Sequence, residues 1–140
     1  MDQASGSRGQ REAIPNGHET ILLVDDDEDC RLIYSIALKN AGYDVILASD
    51  GDEGVSMARN HSPAVVLMDI GMPKLDGLGA LKALKTDSRT RDIPTLALTA
   101  RVSLHQRSEL LDAGFDDVLL KPILPRSVVV AVAEVVRTRH

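Results

Sequence analysis

The stretch from Thr20 to Asp29, TILLVDDDED, passes from an apolar run straight into a run of acids. The four aliphatic residues Ile21–Val24 are too few for a buried helix. They suit a strand covered on both faces, with the acids standing where the strand ends. The pattern recurs along the chain. Ala64–Met68 is an apolar run closed by Asp69, Pro94–Leu98 is closed by Thr99, and Val118–Leu120 is closed by Lys121 and Pro122. Tyr43–Ala48 is a further strand candidate.

Helical patterns lie between these runs. Asp27–Ala41 has helical spacing, with Leu32, Ile33, Tyr34, Ile36 and Ala37 as its expected apolar side and Gly42 as its stop. Ser49 or Asp50 caps a helix to about His61, with Val55, Met57 and Ala58 inward. The stretch 70–77 carries Gly71, Pro73 and Gly77 and reads as a loop shaped by Asp76-Gly77. Helices over roughly Leu78–Thr86 and Leu104–Ala113 follow, the second stopped by Gly114. Pro125 suits the first turn of a last helix that runs to about Arg137. Strand and helix thus alternate, and strands with continuous rather than alternating apolar runs predict a parallel, doubly wound α/β sheet.

A chain of 140 residues supports one domain with a real core. With two Tyr, one Phe and no Trp, that core must be aliphatic. Residues 1–18, MDQASGSRGQREAIPNGH, read as a flexible tail ahead of a domain over 19–140. The net charge of −5 argues against nucleic-acid binding by bulk electrostatics. A single cysteine, Cys30, excludes an internal disulfide and reads as a packed helix residue. No apolar run approaches the roughly 20 residues of a membrane span. The N-terminus lacks the apolar segment of a signal peptide, so a cytoplasmic domain is expected.

In an open parallel sheet all strand C-termini lie on one edge, where ligands bind. Asp25 and Asp26 follow the first strand, Asp69 the third, Thr99 the fourth and Lys121 the fifth, so these residues converge on one crevice. Three crowded carboxylates repel one another, and a hard divalent cation relieves the repulsion. Mg²⁺ favours such a site, since it takes a few carboxylates plus waters and substrate phosphate. A carboxylate can attack phosphorus to give an acyl phosphate. A metal, a hydroxyl and an ammonium can then stabilise the charge on the phosphoryl oxygens.

The segments ILLVDDDED, VVLMDIGMPKLDG, PTLALTA and LLKP, in this order, resemble a receiver domain of two-component response regulators. The separations of Asp26, Asp69, Thr99 and Lys121 are 43, 30 and 22 residues, and the likeness covers about residues 19–139. The resemblance implies a single-domain, CheY-like module with the flavodoxin-like (βα)5 fold and strand order 2-1-3-4-5. It implies that Asp69 accepts the phosphoryl group. It further implies that Asp26 binds the metal directly, that Asp25 acts through water, and that Gly71 offers its main-chain carbonyl. Thr99 matches the switch hydroxyl, Lys121 the partner of a phosphoryl oxygen, with a cis bond to Pro122, and Ala100 the small residue that leaves the phosphate room.

The implied partners are a sensor histidine kinase or histidine phosphotransfer protein as donor, and a downstream protein target. No nucleic acid and no membrane are expected. A homodimer through the fourth helix, fifth strand and fifth helix is admitted. The module would be no enzyme beyond catalysing its own phosphorylation and dephosphorylation. With no output domain read after residue 139, it is expected to signal by protein contact or to act as a relay or phosphate sink. The alternatives are a receiver fragment of a hybrid histidine kinase and a phosphorylation-independent pseudo-receiver. The complete Asp/Asp/Asp/Thr/Lys set argues against the latter. A haloacid-dehalogenase-type phosphatase would carry a second Asp two residues after its nucleophile, where Gly71 stands. There is no G-x-G-x-x-G or G-K-[ST] motif for nucleotide binding.

Two departures from the family pattern stand out. Val118 occupies a position that often holds Tyr or Phe. Gly71, two residues after Asp69, has no side chain to screen the acyl phosphate, whereas Arg101, two after Thr99, is long and cationic. The run Val128–Ala133 is apolar around more of its helix than one buried face needs, which fits either a wide core stripe or a partner surface. The Gly71/Arg101 pair makes phosphate lifetime depend on Arg101. Phosphate loss timed in wild type and Arg101→Ala should give clearly different rates, and equal rates would dismiss the idea.

Overall fold

The computed structural model describes residues 19–70, 77–100 and 103–139. Strands β1 (Thr20–Val24), β2 (Asp44–Ala48), β3 (Val65–Asp69), β4 (Thr95–Thr99) and β5 (Asp117–Leu120) alternate with five helices. These are α1 (Glu28–Asn40), α2 (Gly51–His61), α3 (Gly77–Lys85), α4 (Leu104–Ala113) and α5 (Pro125–Arg139). Every neighbouring strand pair is parallel, and the order is β2-β1-β3-β4-β5, as the resemblance implied.

Successive strand residues point to opposite faces, which is why the apolar runs are unbroken. Leu22, Val24, Val66, Met68 and Ala97 pack with Val55, Ala58, Leu81, Leu84 and Leu110 beneath α2, α3 and α4. Ile21, Leu23, Val65, Leu67, Leu96 and Leu98 pack with Tyr34, Leu38, Val128 and Val132 beneath α1 and α5. β2 lies at the sheet edge and is correspondingly half-exposed. α2 settles closely on β1 because Gly54 has no side chain: a Cβ there would lie 2.8 Å from Cγ2 of Val24.

The helix ends follow local rules. The Asp27 carboxylate caps α1 by accepting from the amides of Asp29 and Cys30, and Asp50 caps α2 by accepting from the amide of Glu53. Ser103 and Gln106 form a reciprocal capping box on α4. At the base of α3, Asp87 accepts from the guanidinium and the amide of Arg89, with Arg59 beside it. The side-chain bond from Arg89 foremost, then its amide, hold the Asp87 carboxyl well below the usual carboxylate range.

Of the expected apolar side of α1 only Tyr34 is buried and Ala37 half-buried. Leu32, Ile33 and Ile36 are 57%, 49% and 50% exposed, whereas Tyr34, Ser35 and Leu38 are buried. The rotation of α1 is set by polar fixings that periodicity does not register. Arg31 donates to the main-chain carbonyl of Asp25, and the Tyr34 hydroxyl donates to the carbonyl of Ile123 at 3.2 Å. Leaving a Leu or Ile half in water forgoes roughly 1 kcal/mol of burial each. On α5 the core stripe is wide: Val128, Val132 and Val136 are buried, Val129, Ala131 and Val135 pack beside them partly buried, and Val130 is 64% exposed.

α4 is the most lightly seated helix. Among its described side chains only Leu110 is buried. Its other anchor is the Arg107 guanidinium, which donates to the Val118 carbonyl and to the Asp117 carboxylate, both at 3.1 Å. Both partners are partly exposed, so the fork is worth roughly 1 kcal/mol. Hydrogen exchange should show α4 amides of Arg107→Ala exchanging about fivefold faster, with the amides of β1 and β3 unchanged.

Candidate functional site

The ladder registers align the residues that the sequence nominates. Val24 lies opposite Met68, so Asp25 emerges level with Asp69. Asp69 lies opposite Leu98 and Thr99 opposite Leu120, so Thr99 and Lys121 each stand one step further along the same edge. Strands β3 and β4 reach one residue beyond their apolar runs and include Asp69 and Thr99. Their backbones are thereby fixed. Ile70 donates to the carbonyl of Leu98 at 3.1 Å, and Lys121 donates to the carbonyl of Thr99 at 2.7 Å. The Lys121–Pro122 bond is cis, as expected.

One carboxylate oxygen from each of Asp25, Asp26 and Asp69 lies within 4.8 Å of the other two. The three differ in surroundings. Asp25 is fully buried, its amide donates to the carbonyl of Ala48, and each of its side-chain oxygens is engaged. The amide of Asp27 donates to Oδ1 at 2.9 Å and Lys121 Nζ donates to Oδ2 at 2.8 Å. Asp26 is exposed and Asp69 is partly exposed. Lys121 Nζ also stands 3.6 Å from Asp69 Oδ2. Burial alone would lower the Lys121 pKa. The hydrogen bond and charge of Asp25, with the charge of Asp69, outweigh burial and raise it above the ordinary lysine value. Thr99 is buried at the end of β4.

Hard oxygen donors in this number suit Mg²⁺ or a similar cation, which binds a few carboxylates and keeps several waters. Gly71 and Arg101 lie outside the described residues, as do the tail over 1–18 and Asp76. Gly77 has a structural reason: a Cβ there would fall 2.5 Å from the Cα of Ile70, the residue after Asp69. Burial pushes the Cys30 thiol pKa up, which fits a packed, unreactive residue. No sequence motif pointed to Arg31, which reaches back from α1 to the carbonyl of Asp25 at 2.6 Å. Only its place one turn into the helix after the acids could have suggested it.

The family model for the response regulator receiver domain matches residues 21–133. This chain belongs to that family. The receiver domain is 38% identical over 119 residues to the probable transcriptional regulator ycf27 of Porphyridium aerugineum, covering 85% of this chain and 48% of that protein. It is 41% identical over 102 residues to the DNA-binding dual master transcriptional regulator RpaA of Synechocystis sp., covering 73% and 42%. Among solved structures, chemotaxis protein CheY4 of Vibrio cholerae superposes with a TM-score of 0.80 at 30% identity, covering 85% of this chain and 99% of that one. A receiver domain from Francisella gives 0.81 at 27%, covering 87% and 99%.

The chain spans about half the length of the curated relatives it matches. Their names describe transcriptional regulators, which runs against the expectation of no nucleic-acid partner drawn from the net charge of −5. Among the described residues no helix is long and apolar enough to cross a membrane.

Removing one partner of a buried ion pair leaves the other charge uncompensated. Urea unfolding of Lys121→Met at neutral pH should show a loss of about 3 kcal/mol. Because the folded-state pKa of Lys121 is raised, its contribution is complete below the ordinary lysine value. The gap between the two proteins should therefore close as pH rises through the raised value.

Proposed function

We propose that this receiver domain accepts a phosphoryl group on Asp69 from a phosphohistidine of a sensor histidine kinase or phosphotransfer protein. The single observation that carries the reading is the convergence of Asp25, Asp26, Asp69 and Lys121 at one sheet edge. In the transfer, an Asp69 oxygen forms a bond to phosphorus as the phosphorus–nitrogen bond to the donor imidazole breaks, and the imidazole leaves with the electron pair.

Asp26 and Asp69 would hold Mg²⁺ directly, with Asp25 behind them through water and Gly71 adding its carbonyl. The cation would supply charge neutralisation on the phosphoryl oxygens when bound. Lys121 sits between Asp25 and Asp69 and is charged at neutral pH, so it can swing from the carboxylates to a new phosphoryl oxygen. The Thr99 hydroxyl serves as the second ligand of that group. The module is a signalling domain, with catalysis limited to its own phosphorylation and dephosphorylation.

The donor must settle around Asp69, and α1 starts beside the site. Its exposed Leu32, Ile33 and Ile36 give an apolar face for such a partner. Output passes to a downstream target that, by analogy with the relatives' names, controls transcription. The cytoplasm is the compartment this partnership requires.

Incubation with phosphoramidate and Mg²⁺ followed by intact-mass measurement tests the reading. Wild type should gain one phosphoryl group and Asp69→Ala none, with chelation of Mg²⁺ abolishing the gain. A wild type that stays unmodified would favour a pseudo-receiver.

A further inference from the structure

The turn from β1 into α1 is only three residues long, and it carries two of the three clustered acids. What holds this turn is therefore what sets the spacing of the cluster. Asp25 is fixed at its amide by Ala48 and at its carboxylate by Asp27 and Lys121. Its main-chain carbonyl, part of the peptide unit that leads into Asp26, is held by Arg31 NH1 at 2.6 Å. That distance is short, as charge-assisted hydrogen bonds are. Asp26 itself is exposed, so packing does not orient it.

We propose that Arg31 is a positioning residue for the cation: by holding the Asp25 carbonyl it fixes the peptide plane from which Asp26 reaches the metal. The inference rests on the Mg²⁺-binding reading above. Mg²⁺ demands near-ideal octahedral geometry, so a turn free to rock presents Asp26 in the wrong place much of the time. Outer groups that orient metal ligands typically matter by about 10- to 100-fold in affinity. Plain electrostatics predicts the opposite sign, because a guanidinium near a divalent cation repels it and its removal would tighten binding.

Calorimetric titration with Mg²⁺ alone, without phosphodonor, separates the two. Arg31→Met should raise the dissociation constant about tenfold. Arg31→Lys, which keeps a charged donor, should restore most of the affinity. Ala37→Gly loosens the middle of α1 without touching the turn and should bind like wild type. If Arg31→Met does not fold, Arg31→Gln takes its place. Unchanged or tighter binding in the Arg31 variant overturns the proposal. So does an equal weakening in Ala37→Gly, which would make Arg31 a helix-stability residue only. A wild type that takes up no Mg²⁺ would overturn the reading of the site itself, and this inference with it.

Discussion

A carboxylate with no exposed surface, Asp25, bonded to a lysine 96 residues further on, ties the first strand to the last. The pair spans the site edge of β1, β3, β4 and β5, where the ends of β1 and β3 supply the three acids and the residue after β5 supplies the lysine. Two charges in so dry a place hold each other only because each meets the other's need. Asp25 has a donor on both oxygens, and Lys121 has two carboxylates in reach. The third acid, Asp69, is left sharing that ammonium at the longer distance of 3.6 Å. Among the described residues three carboxylates gather around the Lys121 ammonium, with the Arg31 guanidinium on the main-chain carbonyl of Asp25. An electrophilic, metal-bound anion such as a phosphoryl group would need the ammonium to redistribute between partners it already touches.

The same edge explains what the sequence made legible. An acid, hydroxyl or lysine straight after an apolar run marks the C-terminal end of a parallel strand. Parallel topology then brings all such ends together whatever their separation along the chain. Asp25, Asp26, Asp69, Thr99 and Lys121 follow from this logic, as do both covered faces, whereas the strand order came only from the family resemblance. Residues whose placement depends on a side chain reaching across elements were not legible. Arg31 and Arg107 belong to no motif in the sequence, yet one grips the turn that carries the acids and the other clamps a helix to β5. Apolar counts also misjudged α1, because they treat every Leu and Ile as inward. On this helix the rotation is fixed by Asp27, Arg31 and Tyr34, all acting through hydrogen bonds.

The aromatic position raises a related point. Val118 is buried beneath α4, so its side chain fills core space and offers no ring to move between inner and outer sites. Its main chain, however, is where α4 is attached: the Val118 carbonyl accepts from Arg107, whose second amine holds Asp117. α4 follows directly from the loop after Thr99, and Leu110 is its one buried described side chain. A helix held so lightly responds to small changes at its N-terminal loop more readily than α1 or α5, whose buried stripes run through the aliphatic core.

The exposed aliphatics of α1 complete the physical picture. Burial inside the domain drives residues inward only where a packing surface is offered, and the β1–β3 face beneath α1 is already filled by Tyr34, Leu38 and the valines of α5. Turning Leu32, Ile33 and Ile36 inward would require rotating the helix and releasing the bonds of Arg31 and Tyr34. Freeing Arg31 would also unfasten the turn that carries Asp25 and Asp26. The helix therefore keeps the geometry of the acidic cluster and leaves an apolar surface beside it. The constraint that orders the site is thus the same one that leaves Leu32, Ile33 and Ile36 exposed.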